Sequence, residues 1–238
     1  MMKKEQMYEG KAKKIFSTEN ENECIVSYKD DATAFNGLKK GTIRGKGEIN
    51  NRMTNYLMTK LEKEAGIPTH LIKELSNTDT LVKKVHIVPL EVIVRNVIAG
   101  SLSKRLGAPE GTELKCPVLE FCYKDDELGD PMVNDYHILA MGWTDKKTLD
   151  QIKDYAFRIN DYLVKFFKEI GIDLIDFKLE FGITADGTLV LADEISPDTC
   201  RFWDSKTKEK LDKDRFRRDL GDVEGAYQEM IKRVFSHE

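Results

Sequence analysis

Apolar and polar positions alternate from Leu174 to Phe181. Ile175, Phe177, Leu179 and Phe181 fall on one side of the alternation, and Asp176, Lys178 and Glu180 on the other. A period of two predicts a strand with one apolar and one charged face. A second apolar run, Leu189 to Ala192, follows the pair Asp186-Gly187. That pair signals a tight hairpin, because its central positions need φ > 0. A connection of two or four residues sets Glu180 directly opposite Asp193, with Cβ atoms about 4.5–5.5 Å apart. A three-residue connection slips the register and sets Ala192 against Glu180.

The helical period appears twice at length. Leu149, Ile152, Ala156, Ile159, Leu163, Phe166 and Ile170 recur at spacings of three and four, which predicts a scaffold helix over 145–170 stopped by Gly171. Ile49, Met53, Tyr56, Leu57 and Leu61 predict a helix over 48–65, capped by Gly66 and closed off by Pro68. Shorter helices are expected at 214–220 and 224–235. Strands are expected at 24–28, near His70–Glu74 and Thr80–Val85, and at Leu90–Val94, with Pro89 at its entry and Arg95 at its end. Tyr8 to Phe16 forms the first arm of a hairpin. Asn36 to Gly47, with its four glycines and Lys39, Lys40, Arg44 and Lys46, reads as a mobile loop, either a lid or a plain connection. Pro109 to Asp130 reads as loop and short strand.

With 238 residues, the chain is long enough for one large domain or two lobes around a real core. A net charge of −4 gives no general affinity for nucleic acid. No apolar run approaches the roughly 18 residues of a membrane span. The N-terminus lacks the apolar core of a signal peptide. Cys24, Cys116, Cys122 and Cys200 are scattered without a C-x-x-C spacing, which reads as free thiols in a reducing cytoplasm. The histidines His70, His86, His137 and His237 are isolated and read as structural or exposed.

Candidate chemistry lies on these elements. Glu180 and Asp193 on adjacent strands suit a hard divalent cation such as Mg²⁺, completed by water and phosphate oxygens; a solvated polar face with one carboxylate paired to Lys178 is the other reading. Lys11 and Lys13, after Gly10, would share one strand face, where ammonium groups can meet nucleotide phosphates. A solvated lysine face is the alternative, and no P-loop is present. Ser101 follows Gly100 at an expected helix start, a place for N-capping or for an anion. Ser196-Pro197-Asp198 forces a turn that puts Asp198 and Arg201 just beyond the strand carrying Asp193. Arg suits planar recognition of phosphate or carboxylate. Asp125, Asp126, Glu127 and Asp130 read as an acidic surface.

Val88 to Ser101 and Leu174 to Gly182 resemble the two signature segments of the SAICAR synthetase family (phosphoribosylaminoimidazole-succinocarboxamide synthases). Tyr8–Lys13, Asp130–Asn134, Asp193–Asp198 and Arg201–Asp204 resemble further family segments in the same order. The resemblance implies an ATP-dependent ligase of de novo purine biosynthesis. Its substrates would be carboxyaminoimidazole ribonucleotide and L-aspartate, and its products the succinocarboxamide, ADP and phosphate. It implies a two-lobed α+β fold, with an N-terminal lobe (1–88) whose antiparallel sheet is similar to a kinase small lobe, a larger lobe (89–238), and the ATP cleft between them. Gly10, Lys11, Ala12, Lys13 and Lys83 would lie at the ATP phosphates, and Val85 to Val88, including Ile87, beside adenine. Glu180 and Asp193 would hold Mg²⁺. Arg95, Ser101 and Arg201 would bind the ribonucleotide phosphate. Asp130, Asp176, Lys178 and Asp198 would surround the imidazole carboxylate. Asp176, Lys178 and Lys13 would be the catalytic side chains. The family also suggests a homodimer. Two other classes compete: a small-molecule kinase that stops at phosphoryl transfer, and a non-catalytic nucleotide-binding regulator.

Overall fold

Short alternating segments at the N-terminus pair as hairpins. β1 (Gln6–Glu9), β2 (Lys13–Ser17) and β3 (Glu23–Tyr28) run as an antiparallel meander. The computed structural model describes residues 2–34 and 37–236. Part of the segment expected to be a loop, β5 (Lys39–Thr42), instead pairs with β4 (Asp31–Ala34), which precedes it, as a two-stranded ribbon, because Ala32 is buried with Ile43, Ile49 and Tyr227. Asn36, part of that expected loop, lies outside the described residues, as does His237. α1 (Lys46–Ala65) follows and ends at Gly66, whose φ of 62° is the left-handed conformation of a helix stop. β6 (Leu71–Glu74) and β7 (Asp79–Lys83) complete a sheet of order β1-β2-β3-β7-β6.

The second sheet is built around one long strand. Its elements are β8 (Val85–Ile87), β9 (Leu90–Val97), α2 (Gly100–Leu106), β10 (Glu113–Tyr123), β11 (Met132–Val133), α3 (Asp135–Ala140), α4 (Lys146–Glu169), β12 (Ile172–Thr184), β13 (Leu189–Ala192) and β14 (Cys200–Asp204). α5 (Asp214–Arg217) and α6 (Val223–Phe235) end the chain. β12 changes partner on both edges. Along one edge it pairs first with β9 and then with β8; along the other, first with β14 and then with β13. The flanking chain breaks at Val88–Pro89 on one side and over 193–199 on the other. Both breaks fall beside Lys178 to Phe181: Val88 N–H donates to Phe181 O (2.9 Å), and Lys178 N–H to Thr199 O (2.9 Å).

The core lies under the other face of β12. Phe177, Leu179 and Phe181 pack with Val92 and Val94 of β9, with the Leu149–Leu163 stripe of α4, and with Met53, Leu57 and Leu61 of α1. α4 is capped by Asp145, whose carboxylate accepts the Thr148 N–H (2.9 Å), and contains neither glycine nor proline. Truncating one of its core leucines to alanine would cost about 2–5 kcal/mol.

Further expectations need correction. Tyr8 to Phe16 is not one strand: β1 ends at Glu9 and β2 begins at Lys13, so Lys11 lies in the connection and shares no strand face with Lys13. The β12–β13 hairpin pairs Glu180 with Ala192, not with Asp193. Thr184 N–H donates to Thr188 O, so the turn is Ala185-Asp186-Gly187, the odd-length alternative, with Gly187 at φ 84°. The alternation of β12 is also broken. A bulge between Leu174 and Asp176 sends Ile175 to a separate cluster with Ala99 and Trp203, while Phe177 stays in the main core. The segment 113–123 is a long strand, disguised by its mostly exposed first half and by Pro117 at a register shift. Finally, Ser101 is not a helix cap. α2 begins one residue earlier, after Ala99, and the Ser101 hydroxyl accepts a hydrogen bond from Arg95 (3.0 Å) instead.

Candidate active site

The charged face of β12 carries Asp176, Lys178 and Glu180. In β9, Arg95 pairs with Asp176 and Ile93 with Lys178, so the same period adds Glu91, Ile93 and Arg95 to that face. The β1–β2 connection (Gly10 to Ala12) with Lys13 at the start of β2, the β13–β14 connection (Asp193, Glu194, Asp198) and the α5 region (Lys213, Arg217) close a cavity of about 460 Å³ above it. Ser101, Asp130 and Arg201 also line it. Of the residues singled out from sequence, Lys83, Val85 and Ile87 stand outside this cavity. Lys83 Nζ donates to Thr69 O (3.0 Å). Val85 packs over Gly182, where a Cβ would come within 2.5 Å of its methyl group, so glycine lets β8 lie close against β12.

One end of the cavity is a lattice of lysines and carboxylates. Lys178 Nζ lies 2.7 Å from Glu180, 3.1 Å from Glu91 and 3.7 Å from Asp193. Lys124 reaches Glu180 at 3.0 Å, and Lys13 pairs with Asp193 and lies 2.9 Å from Glu194. Asp193 sits one residue past the register position expected for it. Its φ of 59° turns the chain there, and its carboxylate still meets Lys13 and Lys178. Burial lowers the Lys13 and Lys178 ammonium groups, but the surrounding carboxylates outweigh it and hold both well above the ordinary lysine range. Burial raises Asp193, and Lys13 and Lys178 more than reverse it, so this carboxyl stays ionised. Among the described residues no group of three His, Cys, Asp or Glu side chains is placed to hold a metal ion. Glu180 and Asp193 are hard oxygen donors beside the same ammonium, a donor set that suits magnesium only when phosphate and water oxygens complete it.

The other end is arginine-rich. Arg95 donates to Asp176 (2.9 Å) and Glu120 (2.7 Å). Arg201 donates to Asp176 (2.8 Å) and Asp214 (2.8 Å), and Arg217 also takes Asp214 (2.7 Å). Asp176 and Asp214 are each shared by two guanidinium groups, and Glu120 also takes Arg105 (2.6 Å), so four arginines meet three carboxylates and one positive charge is left over for an anion. Arg201 also explains Gly100. A Cβ at Gly100 would lie 2.4 Å from its guanidinium, and Gly100 has φ 53°. Arg95 lies within β9, not at its end.

Sequence reasoning missed Glu91, Lys124, Glu194, Lys213 and Arg217. Glu91 was legible, because alternation puts it with Arg95. Lys213 and Arg217 are four apart, one helical turn, but the helix that aligns them is too short to read from periodicity. Asp126, read as surface, pairs with Lys11 at 2.6 Å and lines the cavity. His70 is buried, and burial together with Lys13 pushes its pKa down to about 3, so it is a neutral imidazole.

Behind Arg201, the fully buried Asp212 accepts the Phe202 N–H (2.8 Å) and the Asp214 N–H (2.7 Å). Burial, and after it the Asp214 charge, push its pKa up to about 7. An acid with a higher pKa when folded binds its proton better in the folded state. Its contribution is therefore present at low pH and is lost as pH rises from about 4 to about 7. Asp212→Asn cannot ionise. Its melting temperature relative to wild type should improve between about pH 5 and about pH 8. Thermal melts at both values check this, and an unchanged difference would contradict it.

The cavity's context is found in known proteins. The SAICAR synthetase family model matches residues 6–234. A phosphoribosylaminoimidazole-succinocarboxamide synthase of Lachnoclostridium phytofermentans is 63% identical over 234 residues, covering 98% of this chain and 99% of that one. The crystal structure of the synthase from Ehrlichia chaffeensis superposes with a TM-score of 0.94 at 48% identity, covering 97% of this chain and 98% of that one. A SAICAR synthetase solved in complex with ADP gives a TM-score of 0.91 at 49% identity, covering 95% of this chain and 96% of that one. With its sequence and its α+β fold matched over nearly their whole length, the chain belongs to the SAICAR synthetase family.

Proposed function

We propose that this chain joins L-aspartate to the carboxylate of carboxyaminoimidazole ribonucleotide, with conversion of ATP to ADP and phosphate, in de novo purine biosynthesis. The observation that carries the reading is one cavity with two chemically different ends, a lysine–carboxylate lattice and an arginine cluster, joined along one face of β12. The relative solved with ADP supports the nucleotide. Free thiols at Cys24, Cys116, Cys122 and Cys200 fit a reducing cytoplasm. Among the described residues no helix is long and apolar enough to cross a membrane. A homodimer belongs to the same reading, and sedimentation would test it.

A carboxylate is a poor electrophile, so it must be activated before an amine can attack. In this reading a carboxylate oxygen of the ribonucleotide attacks the terminal phosphorus of ATP, and ADP leaves. The aspartate amine then attacks the acyl phosphate carbon, loses a proton, and phosphate leaves. Arg95, Arg201 and Ser101 hold the ribonucleotide phosphate. Asp130, Asp176 and Asp198 orient the imidazole end. Lys11 and Lys13 face the polyphosphate, and Lys178 stands where charge grows on the transferred group. Catalysis is then mainly positioning and electrostatic stabilisation. Glu180 and Asp193 would hold Mg²⁺, which when bound neutralises phosphate oxygens. We assign 1–88 to an ATP-binding lobe similar to a kinase small lobe and 89–238 to the larger lobe. The strand Val85–Ile87, both of whose ends are half-buried, would flank adenine.

Heavy oxygen in the ribonucleotide carboxylate tests the route. The reaction with ATP and aspartate should place one labelled oxygen in each released phosphate, read by mass spectrometry. Unlabelled phosphate beside normal product would overturn activation of the carboxylate by ATP. A stable phosphorylated ribonucleotide formed without aspartate would favour a small-molecule kinase instead.

A further inference from the structure

Asp198 is held from behind by side chains that do not line the cavity. Lys46 opens α1, yet its side chain is 0% exposed. Gly47 permits this placement, because a Cβ there would come 3.0 Å from the Tyr28 carbonyl. Lys46 Nζ donates to Asp198 Oδ2 (3.0 Å), and the Tyr227 hydroxyl of α6 donates to Oδ1 (2.7 Å). From the cavity side, Lys213 Nζ reaches the same Oδ2 at 3.1 Å. Burying an ammonium is costly, and an apolar side chain of similar volume often serves stability as well. Packing alone does not account for a lysine here.

Two ammonium groups share one carboxylate, and the one in surplus faces the cavity. We propose that Lys46 is a positioning residue: it neutralises Asp198 from inside the fold, so that Lys213 carries uncompensated positive charge into the cavity and receives an anionic group of the substrate. This rests on the reading of the cavity as a ribonucleotide site.

Of the charges around Lys213, Asp198 attracts its ammonium, and Lys46 and Arg217 repel it. Asp198 faces it from the β13–β14 connection, Lys46 from α1 and Arg217 from α5, while Tyr227 of α6 acts through Asp198. Its chain neighbour Asp214 is taken up by Arg201 and Arg217, and Asp212 by backbone N–H groups. Burial lowers the Lys213 ammonium, Asp198 only partly offsets it, and Arg217 and Lys46 lower it further, so Lys213 lies below an ordinary lysine. Lys46→Met would leave Lys213 and Asp198 as a one-to-one pair. The Lys213 titration should then move to higher pH, because a like charge has gone, and anion affinity should fall.

Two measurements test this. In steady-state kinetics, Lys46→Met should raise KM for the ribonucleotide about tenfold, with KM for ATP changed less than about twofold. In the second, trace acetylation of Lys213, followed against pH by peptide mass spectrometry, reads its titration without turnover. Wild-type Lys213 should titrate below the surface lysines, be protected by the ribonucleotide, and shift upward in the variant. The wild-type measurement stands even where the variant does not fold. Wild-type Lys213 that titrates like surface lysines, or a folded variant with unchanged ribonucleotide KM, overturns the proposal while the assigned reaction survives. A wild type that turns over none of the three substrates overturns that reaction and this proposal with it.

Discussion

Glu180→Gln and Asp193→Asn should each lower magnesium-dependent turnover by about a hundredfold to a thousandfold, the range found when one preorganised electrostatic group is removed from a transition state. The motivation is that both carboxylates lie within reach of Lys178, at 2.7 and 3.7 Å, beside the strand face that carries Asp176 and Lys178. The effect on folding should have a definite sign. From sequence, two facing carboxylates would repel, and neutralising one should not destabilise the fold. In the fold, Glu180 pairs with Lys124 and Lys178, and Asp193 with Lys13. Each substitution therefore strands partly buried ammonium charge and should lower the melting temperature. Circular dichroism would establish that the variants are folded at the assay temperature. Calorimetry should find ribonucleotide binding retained, since the arginine end is untouched. Near-normal turnover in both folded variants would remove the metal assignment.

Arg201→Ala should raise the KM for the ribonucleotide roughly ten- to a hundredfold, the equivalent of about 1.5–3 kcal/mol for a lost charge-assisted hydrogen bond. KM for ATP should stay close to wild type. Arg201 is also structural, because it bridges Asp176 and Asp214, whose side chains are 5% and 4% exposed. Breaking a buried pair costs about 3–5 kcal/mol, so the variant should be clearly less stable. Arg201→Lys should recover little, because an ammonium cannot span both carboxylates as a planar guanidinium does. Saturating ribonucleotide should raise the melting temperature of wild type far more than that of the variant. A fall in ATP affinity with unchanged ribonucleotide KM would transfer Arg201 to the nucleotide end.

Local pattern by itself determined the two long helices α1 and α4, the core strands β3, β9, β12 and β13, and the hydrophobic stripes. Asp145, Gly66 and Gly171 end their helices through local backbone chemistry, and Leu149 to Phe166 show one face because the helical period is intrinsic. Alternation also set Asp176, Lys178 and Glu180 on the polar side of β12, and the quoted segments carried the family resemblance. Tertiary structure decided the rest. The register of the β12–β13 hairpin depended on one residue of turn length, and a one-residue slip exchanges faces. Asp193 meets the site's lysines next to a backbone turn at φ 59°, which composition does not announce. Lys46 gives no sign in sequence that it will be buried. It becomes so only when α1, α6 and the β13–β14 connection converge on Asp198. Periodicity reports which residues share a face of one element. Which charges then neutralise one another depends on contacts between elements far apart in the chain, and only packing brings those together.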